Sequence, residues 1–179
     1  MSPDPLTTLR HPNLAAIEAA QAQAKTPSVQ AFLAHMKAVH PLDRLPSRVA
    51  FDPTALPSIL PDIVLVSVEW PEDGTGPRFL VKVAGENVRN AVTYPLMGHY
   101  IDQHAVIGDS TPPYPVLDRK QVVETGCLMF RRGQPRIRFK LDFADVEYCH
   151  FPLAADGVTV DHIVTVFIYE ANSRQKFGK

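Results

Sequence analysis

Two runs constrain the fold more than anything else in the chain. "DIVLVSVEW" (62–70) and "TVDHIVTVFIYE" (159–170) are rich in β-branched and apolar residues at consecutive positions. A strand with one wet face alternates; a strand apolar on both faces belongs in the middle of a sheet. Ile63–Trp70 and Val160–Tyr169 are therefore expected as central strands.

The first run has a stiff lead-in. Pro46, Pro53, Pro57 and Pro61 rule out a long helix there. "FDPTALPSILP" has room for a short helical turn only, with Asp52 as cap and Pro53 at its start. The stretch lacks the Pro-x-x-Pro repeat of an extended recognition ligand, so it reads as the start of a domain. Seventeen prolines in 179 residues, set mostly between periodic segments, mark turns in the same way.

"PEDGTGP" is a hairpin loop leading into "RFLVKVAG", in which Phe79, Val81 and Val83 should point one way and Arg78, Leu80 and Lys82 the other. "ENVRNAV" is a short helix and "YPLMGHYIDQH" a compact turn. "YPVLDRKQVVETG" is a helix with Val116, Leu117, Val122 and Val123 on its apolar side and Gly126 just past its end. In the last third, Ile137, Phe139 and Leu141 alternate with Arg136, Arg138 and Lys140, a strand expected near a sheet edge. "VEYCHFPLA", an Ala-Asp-Gly turn and the second apolar run complete the β elements.

Two helices precede this core. The first is expected over Pro12 to about Ala24. The second has Thr26 as cap and Pro27 at its first position, with a stripe of Val29, Phe32, Leu33, Met36 and Val39. That stripe serves equally for packing onto the chain's own domain or for a contact between copies, and a homodimer through Val29, Phe32, Leu33 and Met36 is the expectation. Strands in hairpins with grouped helices make an α+β domain. The divisions expected are a helical extension over 1–44, the domain proper over 45–170, and a polar tail over 171–179.

Five segments in this order resemble a PAS domain, and within that family a PAS-like subfamily found largely in alphaproteobacteria. They are "LPSRVAFDP" (45–53), "RFLVKVAGENV" (78–88), "LMGHYID" (96–102), "VVETG" (122–126) and "FPLAADGVTVDHIV" (151–164). The resemblance implies a five-stranded antiparallel sheet with helices over one face, preceded here by the N-terminal helices, and a small cavity between helices and sheet. It also implies a stand-alone sensory or adaptor module in signalling that binds a small ligand or a protein partner. It supplies no catalytic residue. One departure stands out: Tyr148, Cys149 and His150 occupy a strand that the family usually fills with leucine.

The residues put forward for a ligand pocket are Tyr94, His99, Tyr100, His150 and His162. His99 and His104, with Asp102 between them, are either a metal site or rim histidines, and the spacing matches no strong motif. His150 and His162 sit in apolar strands that could bring them close across a hairpin. They are either satisfied core histidines or pocket groups. Adjacent strand residues face opposite ways, which argues against a Cys149–His150 nucleophile pair. No Cys-x-x-Cys-His motif is present, so haem could bind only noncovalently, and no cofactor or metal is expected. A small lyase or isomerase using His and Asp, and a purely structural interaction protein, are the alternatives.

A formal charge of −1 gives no footprint for nucleic acid or an anionic membrane. Arg131, Arg132, Arg136, Arg138 and Lys140 form either a solvated face or a small anion patch. No run is long enough for a membrane helix, and Cys127 and Cys149 make no disulfide framework. The chain reads as soluble and cytoplasmic.

Overall fold

The computed structural model describes residues 10–103, 113–136, 139–140 and 143–171. The architecture is α+β: a five-stranded antiparallel sheet with helices on both sides. Helices α1 (Pro12–Gln23) and α2 (Pro27–Val39) lead into the proline-rich stretch. Strands β1 (Ile63–Glu69) and β2 (Arg78–Ala84) form a hairpin. Helices α3 (Glu86–Ala91) and α4 (Tyr114–Thr125) precede β3 (Met129–Gly133), β4 (Phe143–Leu153) and β5 (His162–Ala171). The strand order is β2-β1-β5-β4-β3, so both apolar runs lie inside the sheet.

The caps fall where the sequence places them. Thr26 accepts a hydrogen bond from the Val29 N–H, Asp52 accepts one from Thr54 at the turn Pro53–Ala55, and Gly126 closes α4 with φ 62°. The four-proline stretch holds short 3-10 turns at Arg48–Ala50, Pro53–Ala55 and Pro57–Asp62. The last of these lies so close to Gly85 that a Cβ there would overlap the carbonyl oxygens of Leu60 and Pro61.

Strand residues alternate between two cores. Ile63, Leu65, Cys149, Phe151, Val164 and Val166 face α1 and α2; Val64, Val66 and Ile163 face α3 and α4. Val29, Phe32, Leu33 and Met36 are wholly buried against the chain's own sheet. Burying each such side chain contributes about 1.5–3 kcal/mol. This corrects the expectation of a dimer contact through those four residues, because their surface is already covered within the chain.

Two strand details also differ from the sequence reading. Leu65 pairs with Val83 but Val66 pairs with Val81, so β2 carries a bulge at Lys82. The bulge turns Val83 out to solvent at 40% exposure and Ala84 inward. The edge strand before β4 is Met129–Gly133, upstream of the expected one. Pro135 has no N–H to give a ladder, and Arg136, Phe139 and Lys140 lie outside any strand. Ile137, Arg138 and Leu141 fall outside the described residues.

Candidate functional site

A cavity of about 90 Å³ lies between the sheet and the α3–α4 side. Its floor is Val64 of β1, Val146, Tyr148 and His150 of β4, and Thr165 and Phe167 of β5. Val88 of α3, Val92, Tyr94, Leu96 and Ile101 form one wall. Tyr114, Pro115, Asp118 and Arg119 of α4 form the other, with Arg136 and Phe139 beside them. The lining surface is overwhelmingly apolar.

The polar groups in this apolar setting are individually held. Asp118, 5% exposed, accepts the Tyr148 hydroxyl at 2.7 Å and lies 3.6 Å from the Arg136 guanidinium. Burial and the Asp118 carboxylate push the Tyr148 hydroxyl well above its usual pKa, so it stays a donor. His150 Nδ1 lies 2.7 Å from Thr165 Oγ1 on the neighbouring strand. Burial, with the Arg119 charge added to it, holds the His150 imidazole neutral. Arg119 donates from Nη1 to the Pro115 carbonyl at 2.9 Å, and burial pulls its pKa down to about 10. Arg136 stacks over the Tyr114 ring, 4.7 Å from its centroid.

The far end of α4 is tied to the N-terminal helices. Gly126 sits beside His11 and Leu45, and the Leu128 N–H donates to the buried Asn13 Oδ1 at 2.6 Å. Asn13 Nδ2 is in turn 3.2 Å from His40 Nε2.

Of the five pocket residues put forward from the sequence, the structure brings Tyr94 and His150 to the cavity. Tyr100 lies on the outside of the β1–β2 hairpin, donating to Glu69 at 2.7 Å under the Arg78 guanidinium. His99 is in the same exposed turn, 3.1 Å from the Met97 carbonyl. His162 is half-buried beside Asp161, at 2.7 Å. The hairpin register sets His150 opposite Thr165 and His162 opposite Leu153, so the two histidines are not cross-strand partners. The connection from Ala154 to Asp161 is longer than the Ala-Asp-Gly turn that placed them together.

Asp102 is bound to Arg78 at 3.1 Å, and His104 lies outside the described residues. Among the described residues no group of three or more His, Cys, Asp or Glu side chains is placed to hold a metal ion. Cys149 and His150 do face opposite sides of the sheet, Cys149 toward α1 and α2 and His150 into the cavity.

The sequence reading missed Asp118, Arg119, Tyr148 and Thr165. Arg119 had a signal: Val116, Arg119, Val122 and Val123 recur at i, i+3, i+6 and i+7, which sets a charged residue within the apolar stripe of α4. Arg136 belonged to the charge run and proves to stand at the cavity.

No helix among the described residues is long and apolar enough to cross a membrane. No protein-family model matches the chain, and no curated protein matches it in sequence.

Proposed function

We propose that the chain is a PAS-type sensory or adaptor domain that takes a small molecule into the cavity between α4 and the sheet. The observation that carries this reading is the cavity itself: an apolar chamber with a few fixed polar groups, the usual form of a small-ligand site. The resemblance of the five segments and the five-stranded antiparallel sheet support the family assignment. The tie from α4 through Leu128 and Asn13 to α1 offers a route by which occupancy reaches the N-terminal helices and a signalling partner. A ligand transmits only what its differential affinity for two arrangements allows.

The alternative, a small lyase or isomerase using His and Asp, needs a general base with an orienting partner. His150 is oriented by Thr165, and Asp118 is committed to Tyr148 and Arg136, which favours binding over catalysis. The proposed setting is the cytoplasm, consistent with Cys127 and Cys149 both being free thiols.

The test is binding of a panel of small neutral apolar fragments, followed by thermal shift and by backbone amide resonances. Saturable binding that moves the amides of Val88, Val146 and Thr165, and is lost when Val88→Phe fills the chamber, supports the reading. A panel that leaves those amides unmoved, or binding that survives Val88→Phe, overturns it.

A further inference from the structure

Arg119 is 5% exposed and faces the cavity, yet its Nε has no hydrogen-bond partner among the described residues. A buried guanidinium N–H without an acceptor leaves the loss of its hydration uncompensated. The neighbouring carboxylate does not supply the acceptor, because Asp118 is engaged by the Tyr148 hydroxyl and by Arg136. The Arg119 fork is instead anchored through Nη1 to the first turn of its own helix, at Pro115. That anchor fixes the guanidinium without neutralising it.

Among the described residues the charges at the cavity are Asp118, Arg136 and Arg119, and His150 adds none. Asp118 and Arg136 answer one another, so a single positive charge is left in an apolar chamber. A monoanion would cancel it. Two further features narrow the class. The chamber, at about 90 Å³, is smaller than the roughly 150 Å³ cavity that admits benzene, so the body of the ligand is a few carbons long. A planar carboxylate matches a guanidinium edge, whereas a phosphate dianion carries more charge than Arg119 balances and meets valines where it needs donors.

Resting on the ligand-binding reading above, we propose that the cavity binds a small monocarboxylate with a short apolar body, its carboxylate on the Arg119 guanidinium and its body against Val64, Val88 and Val146. The acceptor for the Arg119 Nε–H is thus brought by the ligand, and the apolar walls select against free inorganic anions.

The experiment is calorimetric titration of the full chain with propanoate and butanoate, with their amides as neutral counterparts of nearly the same shape, and with inorganic phosphate. The acids should bind at least about tenfold more tightly than the amides, the gain expected of a charge-assisted hydrogen bond. An arginine Nε–H resonance should move during the acid titration and stay still during the amide one. In Arg119→Met, which keeps the buried bulk, the preference for acid should vanish while amide binding remains.

Equal affinity for acid and amide, phosphate binding as tight as butanoate, or an undiminished acid preference in Arg119→Met would each overturn the proposal. The acid–amide comparison uses the unmodified chain, so it decides even if the variant does not fold. If amides bind and acids do not, or if neither binds, the carboxylate assignment falls; the ligand-binding reading falls only if the fragment panel also leaves the Val88, Val146 and Thr165 amides unmoved.

Discussion

The Glu147 carboxylate of β4 lies 2.8 Å from the Thr26 hydroxyl and 3.0 Å from the Thr26 backbone N–H. It also accepts from the Lys25 N–H at 3.0 Å, so one buried side chain closes the gap between α1 and α2 and pins it to the sheet. A negative group at the start of α2 is favoured by the helix dipole as well as by the donors it satisfies. Glu147→Ala should cost about 1–3 kcal/mol, because the part-buried Lys25 and Thr26 N–H groups lose a charged acceptor. Thr26→Ala should cost about 1 kcal/mol as the loss of a cap. Urea unfolding of both variants and of the double variant checks this: additive losses would mean that the two residues do not act together.

Phe32 is fully buried and meets Phe51 and Phe151 edge-on, each ring 6.0 Å away. Phe32→Asp places a charge in that core with nothing to pair it. The expected loss exceeds about 4 kcal/mol and removes the cooperative unfolding transition altogether. Far-ultraviolet circular dichroism with urea titration is the measurement. A variant that stayed folded and changed only in native mass would return the α2 stripe to a contact between copies.

Gly85 has an ordinary backbone conformation, φ −65°, so its constraint is space. A methyl group there would strike the carbonyls of Leu60 and Pro61 in a segment that Pro57 and Pro61 make stiff. Gly85→Ala should destabilise by about 1–3 kcal/mol, the range for overpacking. Pairing it with Pro61→Ala should recover part of the loss if the stiffness of the stretch is the cause. Thermal denaturation of the two single variants and the pair measures it.

His150 refuses a proton in the folded chain that it accepts from about pH 6.5 downward when unfolded. The unfolded state therefore binds more protons over the range between 6.5 and the lowered folded value, and stability falls as pH falls through that range. His11 and His40 are lowered by burial too and act in the same direction. The share of His150 is isolated by His150→Gln, which keeps a polar group for Thr165 and does not titrate. As the pH is lowered through and below about 6.5 the unmodified chain should lose more stability than the variant. Parallel stability curves would show that His150 is not the group responsible.

Element type was legible wherever a local rule decides it. Proline at the first turn, Thr26 and Asp52 as caps and Gly126 in the left-handed region set the ends of α2, the Pro53–Ala55 turn and α4, and consecutive apolar residues put β1 and β5 inside the sheet. Register was not legible. A single bulge at Lys82 reverses the facing of Val83, and a connection longer than its obvious turn separates His150 from His162. The cavity was half legible for a related reason: histidine and tyrosine attract notice as polar groups, whereas Asp118 and Arg119 look like ordinary surface residues until the helix face is laid out. The departure from the leucine-rich pattern, Tyr148 and His150, did fall at the cavity floor.

The pairing of β1 with β5 joins Ile63 to Val166, about a hundred positions along the chain, where the β1–β2 and β4–β5 hairpins are local. Each hairpin joins strands near one another in the chain, but neither carries a complete face. Only when β5 slots beside β1 does the chain acquire both the platform on which α1 and α2 rest and the floor beneath the cavity. That one long-range pairing thus creates the seat for the N-terminal helices and the floor of the cavity together.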